Sequence, residues 1–260
     1  MANNATGGSS ASLSDQFTGL QSLQSLQSLE SKPAAASPHL AVGSCRYDGE
    51  PTDDRFDRAH LLQKYVGQNH RVLELGCSTG FISRLLKQNG CYVVGVECDP
   101  AAASRAATIC DQVVLADLNH VAWTRIEQIQ ERFDVVLMGD VLEHLVHPGE
   151  VLRSVRQLLL PGGAVIISLP NIVHWSQRLQ TSLGRFDYQS VGLLDHTHLR
   201  FFTQRSARAL IVRSGYRIAE FYPMIGGCFT SRFRPLWQGL ANLRPNLFGF
   251  QLLFRAQPVE

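Results

Sequence analysis

The sequence predicts an α/β fold in which a mostly parallel, seven-stranded sheet is covered by helices on both faces. Short runs rich in Val, Ile and Leu alternate with segments of helical periodicity, which is the pattern of βαβ units. Several of these runs or helices end at glycine, the residue that most often ends helices and opens turns. The middle runs are apolar throughout, as expected for parallel strands that are buried on both faces.

The first half of the sheet is predicted by closely spaced elements. Residues 52–66 have acids early and apolar residues at helical spacing, which predicts a helix capped by Thr52 or Asp53. The β-rich run Arg71–Leu75 stops at glycine, and the helix after it also has a glycine stop. Two further strands, CYVVGVE and QVVLAD, flank a helix that has Pro100 near its first turn.

The second half repeats this pattern and then departs from it. RFDVVLMGD and AVIISLPN are strands four and five, and HPGEVLRSVRQLLLPGG is the helix between them, with a glycine stop. Residues 172–202 are too long for an ordinary connection and predict a functional insertion with its own helix. The helix TQRSARALIVRSG follows, and the runs YRIAEFYPM and FGFQLLFRAQ supply edge strands, one of them antiparallel.

Residues 1–43 differ from the rest of the chain because they are small and polar and repeat Leu-Gln-Ser from Leu20. A period of three drifts around a helix of 3.6 residues per turn, so the leucines form no single stripe. We interpret this segment as a disordered or weakly helical tail, either a dispensable leader or a docking arm for a partner. Residues 44–260 are predicted to form one domain, with 172–202 as an insertion that covers the substrate.

Bulk composition excludes several classes of function. The chain has 260 residues, and its 24 Lys+Arg nearly balance 22 Asp+Glu, so a nucleic-acid partner is not expected. The six cysteines show no CxxC pairing, which is typical of reduced thiols in a cytoplasmic protein. The sequence shows neither an apolar run long enough to span a membrane nor a secretory signal pattern, so we expect no integral membrane segment.

The stretch VLELGCSTGF, residues 72–81, carries the clearest ligand signal. A strand runs into Gly76, a tight turn follows, and Gly80 opens a helix. Ligands of parallel sheets bind at the carboxyl ends of the strands, where strand order reverses. Glu97 ends strand two roughly 20 residues further on, where an acid can accept hydrogen bonds from both ribose hydroxyls. Asp117 ends strand three, where adenine recognition would fall.

Ser78 stands where a dinucleotide-binding turn has its second glycine, which argues against NAD and favours an adenosine ligand without phosphates. With these motifs the chain resembles class I S-adenosylmethionine-dependent methyltransferases. It is most similar to the group that includes ubiquinone-biosynthesis O-methyltransferases and methionine-biosynthesis W-type proteins. The similarity covers about residues 60–225, including MGDVLEHLVHPGEVL and LLLPGGAVIISLPN. It implies a Rossmann-like fold and S-adenosyl-L-methionine as the cofactor.

The resemblance also implies which residues line the cofactor. These are Glu74, Gly76, Cys77, Gly80, Glu97, Asp117, Leu118, Gly139 and Asp140. The first four would surround the methionine part, with the carboxylate of Glu74 near its amino group. Glu97 would hold the ribose, and Asp117 and Leu118 would contact the adenine. Asp140 has a structural alternative, which is to cap the helix that follows it. Many relatives carry glycine at position 78, so serine is tolerable there if its φ is negative.

The transfer chemistry directs attention to histidines, because a hydroxyl acceptor needs a group that takes its proton whereas an amine need only be held neutral. The candidate bases are His144, just after strand four, and His198, in a segment that resembles the group's recurrent LD-x-THLRFFT. The structural alternatives are a histidine packed in its turn and an anchor that ties the insertion to the sheet. Four further residues are candidates for substrate binding: His174, Trp175, His196 and Arg200.

The spacing of these residues carries two further expectations. Residues 196, 198 and 200 would share one face if the stretch is extended. Glu143 and His144 are neighbours on a helical turn and are expected to face different directions. No metal-binding motif completes the His-x-His pair, so no metal is expected.

The inserted helix shows an apolar face formed by Ile172, Trp175, Leu179 and Leu183. This face could pack against the core as a pocket lid, which we favour, or rest on a membrane surface. Together the observations predict an S-adenosylmethionine-dependent methyltransferase that methylates an oxygen of a small molecule. Methylation of a nitrogen in a small molecule or peptide, or a non-catalytic role beside a biosynthetic enzyme, are the alternatives. A homodimer or a partner protein is compatible with either role.

Overall fold

A computed structural model of the chain describes residues 58–119, 129, 131–226 and 232–259. The predicted tail over 1–43 and the helix cap at Thr52 or Asp53 lie outside the described residues. The strands of the described part are β1 (Arg71–Leu75), β2 (Tyr92–Glu97), β3 (Gln112–Leu115), β4 (Phe133–Gly139), β5 (Leu159–Pro170), β6 (Tyr216–Met224) and β7 (Gln251–Pro258). Its α-helices are α1 (Arg58–Val66), α2 (Phe81–Gln88), α3 (Pro100–Ala106), α4 (Pro148–Val155), α5 (Trp175–Ser182), α6 (Gln204–Arg213), α7 (Arg234–Leu243) and α8 (Pro245–Phe248).

The strands form one sheet in the order β3-β2-β1-β4-β5-β7-β6. Strands β1 to β5 pair in parallel, which confirms the predicted doubly wound, mostly parallel fold. The strand order reverses between β1 and β4, so the ligand-binding crevice is expected outside their carboxyl ends. The prediction for the last strand was partly wrong. Strand β7 is antiparallel, as expected of one of the two, but it lies between β5 and β6 and not at the edge.

Alternating side chains of the strands fill two apolar layers, one on each face of the sheet. Val72 packs with α1 and α2 on one face, and Leu73 packs with α4 and α6 on the other. Both side chains are fully buried. The layers hold the carboxyl ends of the strands at one edge, where the polar residues of the site gather.

Strand β5 begins earlier than predicted, and the glycine pair Gly162–Gly163 lies inside it and does not stop the preceding helix. Helix α4 already ends at Val155 and is followed by a 3-10 turn. A Cβ on Gly163 would lie 2.9 Å from the carbonyl oxygen of Leu160, so a side chain has no room there. Pairing with β4 is irregular at this point, and glycine in a strand often marks such a bulge.

The expectation that the insertion helix packs its apolar face on the core was wrong. In α5 the side chains of Leu179 and Leu183 are 51% and 61% exposed, and Trp175 is also exposed. The buried side of this short helix carries His174 and Gln177 instead, which leaves the leucines outside. None of the helices in the described part of the chain combines the length and the apolar character needed to cross a bilayer.

Candidate functional site

The turn after β1 is held against the end of β2 by its main chain. The amides of Gly76 and Cys77 both donate to the carbonyl of Val96, at 2.8 and 3.1 Å. Gly76 has φ +66°, and a Cβ at this position would lie 2.8 Å from the side chain of Val141. Gly80 has φ +86° and opens α2. Both predicted glycines are therefore required by conformation, and the exposed main chain at Gly76 faces the crevice edge.

Ser78 adopts φ +50°, so the condition under which serine was expected to be tolerable is not met. For a residue with a Cβ this left-handed conformation costs about 1 kcal/mol. The amide of Ser78 donates to a carboxylate oxygen of Glu97 at 2.9 Å, and this bond holds the strained conformation. The strain is thus part of the link between the two turns.

Replacement of Ser78 by glycine is expected to stabilise the fold by roughly 0.5–1 kcal/mol, since glycine adopts positive φ without strain. The Glu97 bond uses the main chain, so the affinity for S-adenosylmethionine should be kept or improved. Thermal unfolding and titration calorimetry measure the two effects. Ser154→Gly in α4 is the matched control, and it should lower stability because glycine weakens a helix. If the Ser78→Gly protein is less stable than wild type, the conclusion that the backbone of Ser78 is strained is wrong.

Glu97 joins the turns at the ends of β1 and β2. One of its oxygens accepts the Ser78 amide, and the other accepts the amides of Cys98 and Asp99 at 2.8 and 2.9 Å. Asp99 in turn caps α3 by accepting the amide of Ala101 at 2.7 Å. Glu97 is only 5% exposed, and its carboxylate is surrounded by main-chain donors.

Asp117 lies just after β3, at the same edge as Glu97. Its carboxylate accepts the amide of Asn119 at 2.8 Å, which fixes its turn. Burial raises the pKa of the Cys98 thiol to about 12, and the charges of Glu97 and Asp117 add to this effect, so the three groups are close. Leu118 is half-buried against the core below them.

Residues 76–80 form the turn after β1, which we call the cofactor turn because the resemblance places the cofactor there. Glu74 lies beneath this turn, on the face of the sheet that α2 covers. It is 2% exposed, and it accepts a hydrogen bond from the Ser83 hydroxyl at 2.5 Å. Burial raises its pKa to about 8, although the Ser83 bond opposes this. The contact with the cofactor amino group stays a prediction, because this carboxylate already has a structural partner.

Asp140 follows Gly139 at the end of β4 and connects three elements. Its carboxylate accepts hydrogen bonds from Ser168 of β5 at 2.6 Å and from Gln251 of β7 at 2.7 Å, and it forms an ion pair with Arg58 of α1. The alternative in which Asp140 caps the next helix is wrong, because the 3-10 turn Leu142–His144 shows no side-chain cap. Asp140 also has positive φ, which aspartate tolerates better than most residues.

The turn after β4 meets the end of the insertion in a histidine cluster, which consists of Glu143, His144 and His198. One oxygen or nitrogen from each lies within 4.8 Å of the others. The two imidazole rings meet edge to face, with centroids 4.8 Å apart. The main chain of the insertion is also fixed to this turn, since the amides of Leu199 and Arg200 both donate to the Glu143 carbonyl at 2.9 Å.

Backbone carbonyls fix the tautomers of both histidines. Nδ1 of His144 lies 3.2 Å from the carbonyl oxygen of Thr197, and Nδ1 of His198 lies 3.3 Å from that of Leu193. A carbonyl only accepts, so each Nδ1 carries the proton and each neutral ring keeps a lone pair on Nε2. The cluster therefore contains two groups that can each accept a proton.

The stretch from residue 193 to 200 is a series of turns, so the expectation of one shared face was wrong. The buried carboxylate of Asp195 accepts the amide and the hydroxyl of Thr197, at 2.9 and 2.7 Å, and forms a local turn. His198 is consequently buried, whereas His196 is exposed and hydrogen-bonds the Gln189 carbonyl. Arg200 donates to the Val146 carbonyl at 2.6 Å and anchors the insertion.

Glu143 was missed as a site residue, and the expectation that it faces away from its neighbour was wrong. Its side chain is fully buried, and neither carboxylate oxygen has a hydrogen-bond partner within the described residues. Glu143, His144 and His198 thus form a group of three possible metal ligands that was not expected from the sequence, and His196 of the His-x-His pair is not part of it. The sequence shows Glu143 directly before His144, which is the one sign of this cluster along the chain. His198 joins these two residues only through the fold.

Comparison with known proteins identifies the class of this site. Residues 49–220 match the family described as "Methyltransferase domain". This range includes the cofactor turn, Glu97 and the histidine cluster. The chain belongs to the class I S-adenosylmethionine-dependent methyltransferases. S-adenosylmethionine is accordingly its cofactor.

Individual relatives support the same family. The chain is 28% identical over 135 residues to the ubiquinone biosynthesis O-methyltransferase of Aeromonas salmonicida. This match covers 51% of the chain and 57% of the Aeromonas protein. The enzyme of the same name from Azorhizobium caulinodans is 28% identical over 179 residues, which cover 68% of this chain and 69% of the Azorhizobium protein. The chain spans about half the length of most curated relatives it matches.

Solved structures share the fold. The CcbJ methyltransferase from Streptomyces caelestis superposes with a TM-score of 0.57 at 15% identity, covering 86% of this chain and 100% of that one. This likeness concerns the architecture alone. It agrees with the α/β fold of the described residues.

Burial sets the protonation of the histidine cluster in this methyltransferase. It lowers the pKa of His144 to about 4, with a further contribution from His198, and it also lowers the pKa of His198. Both rings are therefore neutral at pH 7, consistent with their carbonyl contacts. Burial raises the pKa of Glu143 from 4.5 to about 8, so this carboxyl binds a proton more tightly in the folded chain.

The raised pKa of Glu143 predicts a pH-dependent stability. The folded state binds the Glu143 proton more tightly than the unfolded state does. The contribution of Glu143 to the free energy of unfolding is therefore complete below pH 4.5 and is lost as pH rises through about 8. Glu143→Gln should remove the Glu143 part of this dependence, leaving that of Glu74, and should make the protein more stable than wild type at pH 9 by a few kcal/mol. Chemical denaturation from pH 5 to 9 tests this. Glu150→Gln, on the exposed side of α4, is the control and should follow wild type.

His174 and Trp175 begin the insertion helix, close to the end of β5. Nδ1 of His174 lies 2.8 Å from the Ser176 hydroxyl, and its buried Nε2 has no hydrogen-bond partner within the described residues. Burial lowers the pKa of this ring to about 4. The ring lies edge to face with Phe250, while Trp175 is partly exposed. Their predicted substrate contacts, like those of His196 and Arg200, stay predictions.

Proposed function

We propose that this methyltransferase transfers the methyl group of S-adenosylmethionine to an oxygen of a small molecule, with the histidine cluster as the proton acceptor. The observation that carries the proposal is the pair of unprotonated Nε2 atoms, fixed by the carbonyls of Leu193 and Thr197. The names of the curated O-methyltransferase relatives support the same chemistry.

The sulfonium already activates the methyl group, so the protein has to align the acceptor and take up its proton. S-adenosylmethionine, when bound, would supply its methyl group to the acceptor oxygen and would itself become a neutral thioether. A hydroxyl must lose its proton during this step, and Nε2 of His144 or His198 would accept it. A carboxylate acceptor would need no base, so the cluster favours a hydroxyl.

The cofactor side of the proposal rests on the crevice edge. Glu97 would accept hydrogen bonds from the ribose hydroxyls, and Asp117 would meet the adenine beside Leu118. The main chain from Gly76 to Gly80 would line the methionine part. Gly139 and Asp140 lie at the end of β4, where the resemblance places them against the cofactor. The insertion would cover the acceptor from the β5 side.

A labelled-methyl assay tests the proposal. The protein would be incubated with methyl-labelled S-adenosylmethionine and, in parallel, a catechol, a carboxylic acid, a primary amine and an extract of the source organism's metabolites. Mass spectrometry of the products should show methylated oxygen. Products methylated only on nitrogen would overturn the choice of acceptor. Cofactor binding without any transfer would support the non-catalytic alternative.

A chelator arm separates a base from a metal site at the cluster. Glu143, His144 and His198 could together hold a divalent cation, so the assay would be repeated after treatment with EDTA. Proton transfer by the histidines predicts an unchanged rate. If the rate falls with EDTA and returns when a divalent cation is added, the cluster acts by holding a metal ion that binds the acceptor, and the proposal of a histidine base is wrong.

A further inference from the structure

Two cysteine thiols meet behind the cofactor turn, on the side away from the crevice. Cys77 lies in the turn after β1, and Cys110 lies in the segment between α3 and β3. A Cβ built on Gly95 of β2 would be 2.6 Å from the Cys77 sulfur and 3.4 Å from the Cys110 sulfur. Both thiols are buried, with 2% of Cys77 and 8% of Cys110 exposed. The absence of a side chain at Gly95 is what lets the sulfurs approach.

Cys110 is the less buried member of this pair, and its thiol donates a hydrogen bond to the Ser83 oxygen at 3.2 Å. The contact with Cys77 lowers the pKa of Cys110 to about 7, against the effect of its burial. The ammonium of Lys87 acts in the same direction. Cys98, which is more exposed, has its pKa raised to about 12 and is therefore a poor nucleophile.

The structure points to a redox modification site that no part of the methyl-transfer chemistry uses. We propose that peroxide converts Cys77 and Cys110 into a disulfide that weakens S-adenosylmethionine binding. The Cys110 thiolate attacks one peroxide oxygen, the O–O bond breaks, and with a proton from solvent the other oxygen leaves as water, which yields a sulfenic acid. The Cys77 sulfur then attacks that sulfur, and a second water leaves. Two thiols are oxidised, and one hydrogen peroxide is reduced to two waters.

The link to cofactor binding runs through the main chain of Cys77. Its amide donates to Val96 and its carbonyl accepts the amide of Gly80 at 2.9 Å, so this residue holds the turn in shape. A disulfide requires the two sulfurs to approach to about 2.05 Å. Drawing the Cys77 sulfur toward Cys110 therefore displaces the turn that faces the cofactor. By linkage, bound cofactor must oppose the disulfide by the same factor.

The experiment uses the full reduced chain, treated with hydrogen peroxide, with and without S-adenosylmethionine. Peptide mapping under non-reducing conditions identifies the linked cysteines, and titration calorimetry gives the Kd. We expect a Cys77–Cys110 peptide, a Kd raised at least tenfold, recovery with dithiothreitol, and slower formation when the cofactor is bound. Cys110→Ala should bind the cofactor before and after peroxide, whereas Cys91→Ala, a buried cysteine elsewhere, should respond as wild type does.

The mapping alone can overturn the proposal, even if a variant folds poorly. Absence of the Cys77–Cys110 peptide, or dominant linkage of another pair, would remove the site. Formation of the disulfide with an unchanged Kd would remove the effect on binding. The test needs only cofactor affinity, so its outcome is independent of whether the acceptor is an oxygen or a nitrogen.

Discussion

Glu97→Ala is expected to weaken S-adenosylmethionine binding by roughly 10²- to 10³-fold, because two kinds of contact are lost together. If Glu97 holds the ribose as proposed, the ribose hydroxyls lose their acceptor, and each hydrogen bond to a charged group contributes about 1.5–3 kcal/mol. The amides of Ser78, Cys98 and Asp99 also lose their acceptor, so the bonds that tie the turns at the ends of β1 and β2 are removed. The strained conformation of Ser78 thereby loses its bond to the next strand.

Titration calorimetry with a matched set of variants separates these contributions. Glu97→Gln keeps the shape but cannot offer two anionic oxygens, so it should bind with intermediate affinity. Glu150→Ala removes an exposed acid in the first turn of α4 and should bind as wild type does. A Glu97→Ala protein that is folded and binds the cofactor with unchanged Kd would show that the ribose is held elsewhere.

His198→Ala is expected to lower kcat by roughly 10²- to 10⁴-fold while leaving the Kd for S-adenosylmethionine close to that of wild type. In the proposed function the side chain faces the acceptor, and the contact of its Nδ1 with the Leu193 carbonyl leaves the Nε2 lone pair free. His144→Ala should behave similarly, since the two rings are in contact. His196→Ala is the matched control, because this histidine of the same stretch is exposed and outside the cluster.

The pH profile of the wild-type enzyme tests the lowered pKa values of the two histidines, and the His198→Ala variant tests the role of the base. The pKa of His144 lies near 4 and that of His198 is also lowered, so kcat/KM should hold its value as pH falls below 6.5. A base with the ordinary histidine pKa would already lose half its activity there. If His198→Ala instead lowers only the melting temperature, with kcat retained, the anchor alternative is correct.

How far the sequence predicts the site depends on how local each contact is. The glycine turn and Glu97 are signalled by neighbours along one strand-turn-helix unit, and their geometry follows from the parallel sheet. The histidine cluster joins residues more than fifty positions apart, and an adjacent acid and histidine gave no sign that both would meet the insertion. Asp195 decides that meeting, because its turn buries His198 and turns His196 outward.

Two other misses have physical causes of the same kind. The φ of Ser78 depends on a hydrogen bond to a residue of the next strand, which composition does not reveal. The glycines at 162 and 163 have the signature of a helix stop, but both lie inside β5, where Gly162 has φ +80° and a Cβ on Gly163 would meet the backbone of Leu160. The apolar face of α5 was periodic, yet periodicity does not say whether a partner surface is present in the same chain.

The most direct test of the oxygen-transfer account is a single-turnover reaction with methyl-labelled cofactor, comparing wild type with the His144→Ala/His198→Ala double variant. The account predicts a methylated oxygen in the wild-type product, and at least a hundredfold slower transfer by a double variant that still binds S-adenosylmethionine. Methyl found on nitrogen, or undiminished transfer by the double variant, would contradict it.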